Sequence, residues 1–218
     1  MQAQLQVVAE VEPLRGGEAY DTRFRSLIGE DAWRDLPLAV QKRFSRRLAG
    51  AKVAIYPGII EEVRLSRFGW ILAQLCRVIG APLPLHRDRG VPATVCVSED
   101  GLGGGQCWTR IYGRKHGFPQ VIHSAKRFAG KSGLEEYLGR GIGMALRVHA
   151  ENDGLVFRSD HYFLDLGPVR LRLPHWIGPG RTEVRHRDLG EGRFEFSLRL
   201  MHPLLGELVY QSGVFHDG

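Results

Sequence analysis

The chain has little cysteine, and what it has is scattered. Cys76, Cys96 and Cys107 are the only three thiols in 218 residues; they form no C-x-x-C pair, and each lies in an apolar run. This excludes a disulfide framework and a cysteine-rich zinc module, and predicts buried free thiols in a reducing compartment. Long apolar runs are missing too, the longest being too short and too interrupted to cross a bilayer as a helix. The opening residues, Met-Gln-Ala-Gln-Leu-Gln, carry no basic n-region or long apolar h-region, so no signal peptide is expected and the cytoplasm is the expected location. Nine histidines occur without H-x-H or H-E-x-x-H, and no G-x-S-x-G elbow is present. No metal site, no cofactor and no triad hydrolysis is expected from such a set.

What is present is ordinary except for glycine and charge. Hydrophobic residues make up 43% and charged residues 25% of the chain, enough for one soluble domain with a sizeable core. Glycine occurs 28 times, roughly 13% against a usual ~7%, and falls between short apolar runs as tight turns would. The net charge is +6 and the pI near 9.5. Nucleic acid is not expected as a partner even so, because aromatic and basic residues do not interleave on one face as a single-strand platform requires.

The chain divides into an N-terminal arm, 1–18, and a single domain, 19–218. Phe24, Leu27 and Ile28 predict a short amphipathic helix, and Pro37 opens a second that runs to about Gly50. Lys42, Arg43, Arg46 and Arg47 give this helix, 37–50, a basic face suited to peripheral membrane contact. Lys52–Tyr56 and Ile59–Leu65 read as a strand or hairpin broken at Pro57-Gly58. Ser66 to Gly80 then predicts a helix capped by Ser66, stopped by Gly80, and polar only at Arg67, Gln74 and Arg77. So thin a polar stripe predicts burial around most of its circumference.

Beyond Gly90 the period becomes two, with Val91, Ala93, Val95 and Val97 on one face. Strand-like segments follow at 106–113, 121–128, 142–150, 155–166, 169–173, 182–187, 193–201 and 207–215, separated by turns such as Glu151-Asn-Asp-Gly154. The predicted fold is α+β: N-terminal helices and a strongly curved antiparallel sheet, or partly open barrel, of about eight strands packed around one buried helix.

The order of Leu36-Pro-Leu-Ala-Val, Trp108-Thr-Arg-x-Tyr-Gly, Leu173-Pro-x-Trp-Ile-x-Pro, Gly192-Arg-Phe-x-Phe and His202-Pro-Leu-Leu-Gly-Glu-Leu-Val-Tyr-x-x-Gly resembles a bacterial family classed only as a domain of unknown function. Relatives of that family are often attached to saccharopine-dehydrogenase-like or short-chain oxidoreductase domains. The resemblance covers roughly 19–215 and brings no catalytic residue with it. The chain has no Rossmann segment of its own, so the resemblance implies that it either stands alone or meets a separate oxidoreductase.

Several short motifs imitate known sites. Ala125-Lys-Arg-Phe-Ala-Gly-Lys131-Ser132 approximates a P-loop, but Leu134–Leu138 offers only a short turn of helix after it, so a basic loop between antiparallel strands is expected. Gly101-Leu-Gly-Gly-Gly105 lies between strands and cannot present a helix N-terminus to a pyrophosphate.

Strand parity gives the candidate site. Trp108, Arg110 and Tyr112 share a face; so do Phe157, His161, Phe163 and Asp165; His123 shares one with Val121, and His202 with Phe194 and Phe196. Apolar walls with isolated polar groups suit a cavity for a hydrophobic small molecule. The predicted cavity lies between the buried helix and the concave sheet, lined by Trp70, Leu72, Leu75, Trp108, Phe157, Phe163 and Phe196, with Arg110, Tyr112, His123, His161 and His202 as polar contacts. The expected function is binding of an apolar or lipid-like molecule. The alternative is a cofactor-independent isomerase, cyclase or lyase using His161, His123 or His202 with Asp165 or Glu135, which requires two such groups to meet in one cavity.

Overall fold

The computed structural model describes residues 20–50, 52–101, 103–174 and 178–218. The expected arm, 1–18, lies outside them, as does Trp176. Three short helices come first: α1 (Arg23–Ile28), α2 (Glu30–Arg34) and α3 (Leu38–Ser45). Strand β1 (Val53–Leu65) leads to α4 (Arg67–Leu75), which continues as a 3₁₀ turn, Cys76–Ile79. Ten strands follow: β2 (Val91–Asp100), β3 (Gly105–Tyr112), β4 (Gln120–Arg127), β5 (Leu134–Gly139), β6 (Ile142–Glu151), β7 (Gly154–Asp165), β8 (Arg170–Arg172), β9 (Arg181–Gly190), β10 (Arg193–His202) and β11 (Gly206–His216).

The strands run β6-β5-β4-β3-β2-β1-β11-β10-β9-β7, and β6 pairs with β7, so the sheet closes on itself. The fold is therefore mostly β, a closed antiparallel barrel of ten strands with β8 added beside β7. This corrects the α+β expectation of a partly open sheet wrapped around a buried helix. Two strands account for much of the difference. Pro57 does not break β1; it pairs with Thr94 of β2 just where the β11 ladder has ended, so its missing N–H removes no bond from that side. Leu134–Leu138, read from sequence as a turn of helix, is β5, whose Lys126↔Glu136 register with β4 makes the P-loop imitation an antiparallel hairpin.

The apolar helix does not fill the barrel. It lies across one end of it. Ser66 caps α4 by accepting from the Gly69 amide (3.0 Å), and Gly80 stops the 3₁₀ turn in the left-handed region (φ 106°). These signals read correctly, but the buried face is the small-residue stripe of Gly69 and Ala73. A Cβ on Gly69 would collide with the Leu208 carbonyl of β11, and one on Gly139, at the end of β5, with the Ile79 carbonyl. The helix thus reaches from β11 to β5 across the opening. Phe68, Trp70, Ile71, Leu75 and Val78 face away from the protein.

The connector after Gly80 helps close the same end. Pro82 and Pro84 are buried, and the Gln120 side chain holds the connector by donating to Leu83 O (2.9 Å) and accepting from the Leu85 amide (3.0 Å). Helices α1–α3 cover the opposite end, packing Phe24, Trp33, Leu36, Val40 and Phe44 on Leu134, Leu146, Leu155 and Phe157. Helix α3 is shorter than the predicted 37–50, because Arg46 leaves it to form a β-bridge with Tyr20.

Candidate functional site

Alternation along the strands sends Val95, Val97, Trp108, Phe194, Phe196 and Phe215 into the lumen, where they form one apolar cluster. The waist of the barrel is polar. Arg110, Ser124, Lys126 and Glu136 are all buried there. Lys126 Nζ lies 3.0 Å from Glu136 Oε2, and the Ser124 hydroxyl donates to Glu136 Oε1 (2.7 Å) while accepting from Arg110 Nη2 (2.7 Å). The ammonium also stands 4.7 Å from the Trp108 ring. Burial pushes the Lys126 pKa down and Arg110 adds to this, against the attraction of Glu136. Burial alone would raise Glu136, but Lys126, Arg110 and the Ser124 hydroxyl outweigh it and keep the carboxyl below its usual range. On the facing wall the Tyr162 hydroxyl meets Thr182 Oγ1 at 2.6 Å, and burial raises that phenol to about 12.

The space left in the lumen is small. A void of about 30 Å³ lies above the waist among Leu48, Val95, Val97, Trp108, His186 and Phe196. Another of about 10 Å³ lies below it among Ile60, Pro82, Arg110 and Phe215. Each void is lined by a residue with buried nitrogens that lack a hydrogen-bond partner among the described residues: both ring nitrogens of His186, and Nε of Arg110. His186 stacks on Phe194 (4.6 Å between centroids) and meets Phe44 edge-on. Burial, with Arg43 nearby, lowers its pKa to about 3, so the ring is neutral.

A much larger space adjoins the upper void. A cleft of about 880 Å³ runs between α1, α3 and the start of β1, and Arg43, Arg46, Ala54 and Tyr56 line both. Arg43 is clamped between Asp188 (2.8 Å) and Asp217 (2.7 Å) and lies over the Phe194 ring. Asp21, also in the cleft wall, is held by Arg23. Lys42, Arg46, Arg47 and Lys52 line the cleft and make no ion pair among the described residues. The cleft is thus an electropositive mouth above an apolar throat.

The residues predicted from sequence are dispersed. Trp108, Arg110, Tyr112 and Phe157 face the lumen as parity suggests. Trp70 does not, because α4 turns it outward. His123 is on the outer face of β4, 3.1 Å from Thr109 Oγ1, while its neighbours Ile122 and Ser124 point in. In β7 the register slips at Asp160, between the pairs Leu146↔Ser159 and Ala145↔His161. This bulge reverses the parity, so Phe157 and Tyr162 point inward while His161, Phe163 and Asp165 point outward. Asp160 binds His161 Nδ1 (2.8 Å) and Arg147 (2.9 Å).

Phe163 is still buried, beneath Tyr137 and Arg170 on the outer wall. Arg170 joins Glu135 (2.7 Å) to Asp165 (3.1 Å) there, which brings two predicted acids together without a histidine or a cavity. His202 accepts from the Leu204 and Leu205 amides and shapes the β10–β11 turn. Lys126, Glu136, Ser124 and His186 were missed. Their only sequence signal was a lysine and a glutamate placed to pair across a hairpin, and that hairpin had been read as loop and helix.

No curated protein and no solved structure matches the chain. One family does, across residues 36–215 and so across most of the barrel. The chain belongs to the family described as domain of unknown function DUF4166.

Proposed function

We propose that the barrel binds an amphipathic small molecule, with an anionic head in the cleft beneath α3 and an apolar part directed into the throat. The observation that carries this reading is that Arg43, Arg46, Ala54 and Tyr56 line both the basic cleft and the apolar void. A closed barrel of this size gives apolar walls, and its helix-covered end gives four uncompensated cations for a carboxylate or phosphate. His186 stands at the base of the void with two free ring nitrogens, ready to hydrogen-bond a hydroxyl or carbonyl that enters it. This moves the hydrophobic site away from α4, where sequence parity located it, to the far end of the barrel.

Titration calorimetry with decanoate, decanol and decylamine tests the proposal. Decanoate is expected to bind, decanol at least tenfold more weakly, and decylamine not at all. Arg46→Glu should weaken decanoate about tenfold, since it reverses one charge in the mouth. Val97→Leu, which narrows the throat, should remove the affinity advantage of decanoate over hexanoate. Equal affinity for all three ligands, or none for decanoate, refutes the reading.

A further inference from the structure

The α4 end of the barrel has a surface that the binding cleft does not account for. Of the eighteen large apolar side chains exposed among the described residues, twelve lie on α4, on its 3₁₀ turn, at Phe118, or in and beside the β7–β8 and β10–β11 turns. All of these segments sit at one end of the barrel by the strand order. Phe68, Ile71, Leu75 and Val78 recur at helical spacing along one stripe, and Leu75 and Val78 are 65% and 71% exposed. Phe118 and Leu204, at 91% and 88%, project from loops beside them. A monomer seldom leaves so many large apolar groups together in water.

The charge around this surface has one sign. The stretch Arg67–Ile79 contains no acidic residue. Arg67, Arg77, Lys115 and Arg140 at this end make no ion pair among the described residues. The nearby acids are neutralised: Asp88 by Arg114, Asp165 by Arg170, and Glu207 by Arg64. No helix among the described residues is long and apolar enough to cross a bilayer. Apolar anchors ringed by arginine and lysine fit the boundary between acyl chains and anionic headgroups. We infer that the α4 end docks on an anionic lipid bilayer, with the axis of α4 in the membrane plane and Phe68, Ile71, Leu75 and Val78 inserted.

Flotation of the full chain with vesicles tests this. The protein should float with 3:1 phosphatidylcholine:phosphatidylglycerol vesicles, and at least fivefold less with phosphatidylcholine alone. Ile71→Glu with Leu75→Glu changes only exposed side chains, so the fold is retained, and should cut the floating fraction at least tenfold. Arg67→Gln with Arg77→Gln should lower it several-fold on anionic vesicles, and raised salt should do the same. Absence of flotation, equal flotation with the two compositions, or flotation indifferent to Ile71→Glu with Leu75→Glu overturns the inference. So does a concentration-dependent dimer in light scattering that the double glutamate variant abolishes, since the face would then be covered by a second copy.

Discussion

The two ends of the barrel are both basic and both covered by helix, yet they are built to opposite plans. At the α1–α3 end the helices turn Phe24, Trp33, Val40 and Phe44 inward, and their cations line an open cleft. At the other end α4 turns Gly69 and Ala73 inward and leaves its large apolar residues outside. The first arrangement makes a concave, charged recess; the second makes a closed, greasy cap. The polar waist of Arg110, Ser124, Lys126 and Glu136 lies between them, with a small void on either side. A single barrel thus offers one end suited to a solute and another suited to a surface.

Breaking the waist should have the largest effect. Glu136→Leu removes the acid that Lys126 (3.0 Å) and Arg110 (3.7 Å) share and leaves both cations buried. The expected loss is roughly 3–5 kcal/mol, read as a lower urea midpoint, because an uncompensated buried charge remains. Adding Lys126→Met should recover part of it, because one buried cation is then left unpaired instead of two. If the single variant is as stable as the parent, the waist does not hold the two halves of the lumen together.

Lifting the cap is the next test. Gly69→Ala places a methyl against the Leu208 carbonyl, and forcing α4 off β11 should cost about 1–3 kcal/mol. Amide exchange should quicken in α4 and the connector but not in α3. Uniform quickening at both ends would show that they are energetically one unit.

The legibility of the sequence also differed between the ends and the wall. Caps were readable where chemistry is local: Ser66, Gly80 and the turn residues did what their types predict. The burial of α4 was not readable, because counting apolar positions ignores size. Gly69 and Ala73 approach a backbone more closely than Leu75 could, and the small face went inward. Parity succeeded for Trp108, Arg110 and Tyr112, whose strand is regular. It failed for His161, Phe163 and Asp165 because the bulge at Asp160 sits between two polar residues and leaves no mark in the pattern. The cleft was invisible for a different reason: its lining comes from α1, α3, β1 and the last residues of the chain, which only the closed topology brings together.

The smallest effect expected is also the most specific to the cleft end. His186 is neutral in the fold because burial and Arg43 lower its pKa to about 3 from 6.5. The unfolded chain therefore binds the proton first as pH falls. Between about pH 6.5 and 3 the unfolded state is favoured progressively, by about 1.4 kcal/mol per pH unit, and stability is lost on acidification. Above pH 6.5 both states are neutral and the contribution is complete. His186→Phe keeps an aromatic ring against Phe194 but removes the titration. The variant should therefore lose about 1 kcal/mol less than the parent between pH 7 and 5.5 in urea unfolding. The corresponding measurement on Ile71→Glu with Leu75→Glu should show no such gap from the parent at pH 5.5, because nothing at the α4 face faces His186. A gap there of the same size would mean that the pH response belongs to the barrel as a whole and not to its cleft end.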